Sequence, residues 1–151
     1  MFNFTFKNGD VIELKGFKHS EFASEETHCY EASVYFNGKR IGVVSNDGQG
    51  GSDGDYKIWR DLETRIRSDH PKYHMDFDDS WNEMSMEVWC GEQVNKWLSH
   101  KDFKRTMKSK VVFTEPTSDD PKAIRVISFK GTRKITPAHV AHIKNKYPAY
   151  Q

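Results

Sequence analysis

Apolar and polar side chains alternate from Phe2 to Lys7, which places Phe2, Phe4 and Phe6 on one side of a predicted strand. Asn8-Gly9 follows, a dipeptide that enters a tight type I′ turn without steric cost, and Val11-Ile12-Glu13-Leu14 resumes the extended pattern. The device repeats downstream: Ala32, Val34 and Phe36 alternate with Ser33 and Tyr35, Asn37-Gly38 turns the chain, and Ile41 to Val44 returns. Two hairpins predict a meander of about four strands.

After the glycine-rich stretch Asn46 to Gly54 the period changes. Ile58, Trp59, Leu62 and Ile66 recur at helical spacing, and His70-Pro71 closes that helix because the residue before proline is pushed out of the α region. Ser80 with Glu83 has the form of a capping box, and Trp81, Met84, Val88, Val94 and Leu98 continue a second helical face, with Gly91 as a point of division. Val111-Val112-Phe113 and Ile124 to Phe129 predict two further strands, joined by the polar loop Pro116 to Pro121. Thr136-Pro137 supplies an N-cap and a first-turn proline for a last helix whose buried side is Val140, Ile143 and Tyr147.

Four strands, two helices, two strands and a helix are segregated runs. They predict an α+β fold, an antiparallel sheet of about four to six strands with about three helices packed on it. A chain of 151 residues without a long linker or internal repeat predicts a single globular domain over 1–151. Ten Phe, six Tyr and four Trp supply much of the core's bulk, and Cys29 and Cys90, far from any metal-type spacing, are expected as buried thiols. Charges interrupt every hydrophobic run, and the N-terminus lacks the basic and apolar regions of a signal peptide, so no membrane partner and a cytoplasmic location are expected.

The net charge of +1 hides an uneven distribution: residues 1–95 hold 10 basic and 18 acidic side chains, whereas residues 96–151 hold 13 basic and 4 acidic ones. Such asymmetry marks a polyanion-binding face in some proteins and a solvated or mutually complementary surface in others.

The most unusual segment runs from Asn46 through Asp47, Gly48, Gln49, Gly50, Gly51 and Ser52 to Asp55, between a strand and a helix. Glycines there would let backbone N–H groups converge on a phosphate at a helix N-terminus. Neither a Walker lysine nor Rossmann glycine spacing is present, and the aspartates would repel phosphate or offer oxygens to calcium. Ligand loop, metal loop and plain connection all remain open.

The run Glu21 to Ala32, continued by Val34-Tyr35-Phe36-Asn37-Gly38-Lys39, Gly42 and Ser45-Asn46-Asp47-Gly48-Gln49-Gly50-Gly51, resembles small uncharacterised proteins carried by bacteriophages and prophages. Lys130-Gly131 with His139 fits the same pattern, and the Asn-Asp-Gly-x-Gly-Gly element is its most specific part. The resemblance implies an accessory protein that acts on host machinery or host defence, by docking on a host protein or by sequestering a phosphorylated small molecule, and it brings no catalytic assignment.

Other clusters are weaker. Glu25-Glu26-Thr27-His28 places acids beside a histidine, but adjacent strand residues face opposite sides. Asp76, Asp78 and Asp79 offer carboxylates to a cation or a favourable charge to a helix start. His139 and His142 stand three apart on the last helix, a spacing less usual for zinc than four, and with Arg133 and Lys134 they suit a phosphate better. The expected site is therefore the 46–52 loop with Arg133, Lys134, His139 and His142, binding a small phosphorylated ligand or a host protein without a cofactor. Two alternatives stand beside it. One is a nucleic-acid binder using Lys101, Lys104, Arg105, Lys108, Lys110 and the 130–146 segment, and the other a metal-dependent hydrolase built on the aspartates. No nucleophile elbow, His-Glu-x-x-His or Cys-x-x-Cys motif argues for an enzyme.

Overall fold

The computed structural model describes residues 2–51, 54, 56–75, 79–114 and 124–147, without the side chains of 56–59. The fold is α+β, with a four-stranded antiparallel sheet, two small two-stranded sheets and three helices among these residues. The chain forms two compact units, 1–97 and 98–151.

In the first unit β1 (Asn3–Thr5), β2 (Val11–Ser20), β3 (Cys29–Phe36) and β4 (Lys39–Asn46) lie side by side in chain order. Ile12 and Leu14 of β2, Tyr30, Ala32 and Val34 of β3, and Val44 of β4 point to the buried face, as period-two alternation requires. Between Lys15 and Lys18 the register of β2 shifts at Gly16, whose φ is 66°. The extra residue changes parity, so His19 pairs with the buried Tyr30 and Phe17 stacks on Trp97 at 5.3 Å.

The two hairpin turns differ. Asn37 (φ 48°) and Gly38 (φ 79°) both take the left-handed conformation of a type I′ turn, as expected. The first turn does not: only Gly9 is left-handed there, and Gly9 N donates to Phe6 O at 2.9 Å while Phe6 N donates to Asp10 O at 2.8 Å. This is a three-residue loop closed by a bulge, not a type I′ turn.

Helix α1 (Tyr56–Asp69) buries Leu62 and Ile66. Its Arg65 ties it to the ends of both hairpins, bonding Asp10 at 2.6 Å and lying 4.4 Å over the Phe6 ring and 5.3 Å over that of Phe36. A short hairpin of β5 (Tyr73–Met75) and β6 (Ser80–Asn82) comes next, where the sequence pattern predicts a helix start. The helix α2 begins later and runs unbroken through Gly91 from Met86 to Met107. Ser85 is its N-cap, with Val88 N donating to Ser85 Oγ at 3.1 Å. Its buried face is Met86, Trp89, Cys90, Gln93 and Val94, and Trp81 is 66% exposed. Cys90 is buried as expected, but Cys29 is only half-buried.

The second unit holds β7 (Lys110–Thr114) paired with β8 (Ile124–Ser128), and α3 (Pro137–Lys146). Val111, Phe113 and Ile143 form its core, with Ile127, Phe129, Ile135 and Tyr147 packed around them; Val140, expected inside, is partly exposed. Among the described residues no helix is long and apolar enough to cross a membrane.

Asp10 gathers the two turns and α1 electrostatically. Asn37 Nδ2, the Arg65 guanidinium and Asn8 Nδ2 all donate to its carboxylate, and they hold its pKa at about 2 against an ordinary 3.8. Glu31 and Asp69 are shifted downward too, Glu31 by Lys18 and Asp69 by the Lys7 backbone N–H and the Ser68 hydroxyl. A depressed carboxylate stabilises the fold fully above its unfolded pKa, and that contribution is lost as pH falls from 3.8 through about 2. A carboxyl-detected NMR titration should show Asp10 with a midpoint near 2, and an ordinary midpoint at 3.8 would show that the three donors do not act on it.

Candidate functional site

The glycine-rich loop leaves the end of β4 and closes on the segment between β2 and β3. Residues 21–28 are not part of a strand, since β3 starts at Cys29, so the alternation expected for Glu25 to His28 does not apply. They form a loop tied down at both ends. Ser24 Oγ donates to Ser20 O at 2.7 Å and accepts from Cys29 N at 2.9 Å. His28 Nε2 pairs with Asn95 Oδ1 of α2 at 2.8 Å.

The two loops meet at Gly48. Its carbonyl oxygen accepts from three successive N–H groups, Glu25 at 3.0 Å, Glu26 at 2.8 Å and Thr27 at 3.2 Å. Successive amides converging on one point form the concavity that binds anions in other proteins. Here the Gly48 carbonyl fills it, so the anion-type nest lies in residues 25–27 and the glycine loop supplies its acceptor.

The amides of the glycine loop are themselves engaged. Gly48 N donates to Asn46 Oδ1 at 2.8 Å, Gln49 N to Asp47 Oδ1 at 3.1 Å, and Gly50 N to Thr27 Oγ1 at 3.3 Å. Asn46, 9% exposed, also accepts from Thr27 Oγ1 at 2.7 Å and donates from Nδ2 to Gly51 O at 2.7 Å. Asn46, Asp47, Gly48, Gln49, Gly50 and Gly51 are thus brought together as a clasp, while Ser52, Asp53 and Asp55 lie outside the described residues. A phosphate would have to displace bonds already made inside it.

What the clasp presents is Phe22. The residue is 99% exposed, in a stretch of chain that also carries the exposed acids Glu21, Glu25 and Glu26. No periodicity or motif singles it out along the chain; the only signal is a phenylalanine inside an acidic, non-alternating run.

The remaining predicted site residues belong to the second unit. His139 Nδ1 accepts from Thr136 N at 3.0 Å, so it caps α3, and its ring packs 4.6 Å from that of Phe129. His142 meets the same Phe129 ring at 6.2 Å. Arg133 and Lys134 are exposed in the turn before α3 and make no ion pair among the described residues. Asp79 pairs with His74 Nε2 at 2.8 Å, and Asp76 and Asp78 lie outside the described residues. Among the described residues no three His, Cys, Asp or Glu side chains stand close enough together to hold a metal ion.

Compared with known proteins, the chain matches no family model, no curated protein and no solved structure.

Proposed function

We propose that this chain is a binding protein of the phage accessory kind that its 21–51 segment resembles, and that it inhibits a host process, such as antiviral defence, by docking on a host protein. The observation that carries this is Phe22, fully exposed on a loop whose backbone is fastened at Ser24, His28 and Gly48. Burying a phenylalanine side chain contributes about 1.5–3 kcal/mol. A loop already ordered before binding avoids most of the entropy cost of fixing it at the interface. Aromatic anchors of this kind dominate protein interfaces.

Docking is favoured over capture of a small phosphorylated molecule because the amides of Gly48, Gln49 and Gly50 already have partners. The acids carried by the same loop, Glu21, Glu25 and Glu26, suggest the complement: an apolar pocket with Lys or Arg near it.

The test compares immobilised wild type with Phe22→Ala in capture from a bacterial host lysate, followed by reconstitution with the purified partner. The expected result is a protein retained by the wild type alone, with affinity for the variant weakened at least about tenfold and an unchanged melting temperature. Equal retention by both proteins would sink the reading.

A further inference from the structure

The structural division gives the charge asymmetry a boundary drawn without reference to charge. Within the described residues of the second unit stand eleven Lys and Arg side chains and a single acid, Asp102, which pairs with Arg105 at 3.2 Å. Part of this charge is ordered in a row. Lys101, Lys104, Arg105 and Lys108 follow one another at spacings of three, one and three along the end of α2 and the turn after it, and all four are exposed. Residues so spaced share one face of a helix.

A backbone bond extends that row. Ile135 N donates to Lys108 O at 2.9 Å, which sets the turn carrying Arg133 and Lys134 beside the end of α2. Residues about 25 apart in sequence thereby form one basic surface, a juxtaposition no local pattern shows. Phe103 and Met107 are exposed as well, but helical geometry puts Phe103 nearly opposite the row and Met107 to one side of it.

We infer that the surface formed by Lys101, Lys104, Arg105, Lys108, Arg133 and Lys134 binds the phosphodiester backbone of nucleic acid without reading its sequence. A protein interface of useful affinity needs buried apolar anchors at its centre. This row has none, whereas a phosphate backbone requires only a line of cations from which its counterions are released. With Phe103 off the row, base stacking makes no contribution, and unrelated sequences bind alike.

The experiment measures fluorescence anisotropy of the full-length protein with labelled 20-mers of unrelated sequence, as single-stranded DNA, duplex DNA and RNA, between 50 and 200 mM salt. Binding should weaken steeply with salt and differ little between sequences. The doubles Lys104→Gln/Lys108→Gln and Arg133→Gln/Lys134→Gln should each weaken binding about tenfold and flatten the duplex salt slope by about 0.9 for each phosphate no longer neutralised. Exposed charges contribute little to folding, so both variants should keep the wild-type circular dichroism spectrum and melting temperature. The control Lys39→Gln/Lys72→Gln removes two exposed cations of the first unit and should leave affinity within about twofold, since non-specific binding follows local charge. Absence of binding at 50 mM salt, an effect of only one of the two doubles, or equal competition by polyglutamate at matched charge would overturn the inference, the last in favour of an acidic protein partner.

Discussion

Gly48→Ala is expected to destabilise the first unit by about 3 kcal/mol or more, the largest loss from adding a single methyl group. Gly48 has a φ of 90°, and a left-handed conformation costs a residue with a Cβ about 1–2 kcal/mol. There is also no room: a Cβ there falls inside van der Waals distance of the Ala23 carbonyl oxygen and 3.0 Å from the Cys29 Cβ. Relief requires moving the backbone of residues 23–27 away, which weakens three bonds to the Gly48 oxygen at about 1 kcal/mol each. Gly38→Ala is the internal standard. Its φ is 79° and a Cβ meets nothing within 4 Å, so only the conformational cost of about 1–2 kcal/mol applies. Urea unfolding of both variants measures the difference, and equal midpoints would mean that the 21–28 loop is not held by Gly48. The same variant should weaken any partner that depends on Phe22 beyond its effect on folding, because the anchor loses its fixed position.

Trp89→Ala should cost about 3–5 kcal/mol, the largest effect expected from any single truncation. Trp89 is 1% exposed and the largest fully buried side chain, so its removal leaves a cavity that the close-packed interior only partly fills. Trp81→Ala, at a side chain 66% exposed, should change stability by no more than about 0.5 kcal/mol. The contrast tests the start of α2. A helix beginning at Ser80 would carry Trp81 on its apolar stripe, whereas the observed helix beginning at Met86 puts Trp89 there. Comparable losses at both positions would contradict the burial described.

Much of the architecture was legible along the chain because it depends on local periodicity. Alternation in Ala32 to Phe36 and the Asn37-Gly38 turn specify the central hairpin. The three- and four-residue recurrence through Leu62 and Ile66 specifies α1, and Thr136-Pro137 starts α3 where expected. The α+β class follows from the order of those elements. Where two local signals compete, sequence reasoning misplaced the element. Ser80-Glu83 has the form of a cap, yet β5 and β6 are only three residues each, too short to leave a period of their own, and the functioning cap is Ser85. Likewise Asn8-Gly9 has the composition of a type I′ turn, but Asn8 bonds Asp10 and only Gly9 turns left-handed.

For the candidate site the sequence by itself determined which residue types are present: flexible glycines, an acidic loop with one phenylalanine, and a basic final third. Tertiary structure alone decided what they face. The Gly48 carbonyl meets the amides of residues 25–27 because β3 and β4 are neighbours, and Phe22 is left in solvent by that closure. Lys108 lies beside Ile135 because β7, β8 and α3 fold back on one core. Periodicity reports which side of its own element a residue occupies, whereas the partner of a loop amide or an exposed cation depends on chain segments tens of residues away, whose approach is set by packing.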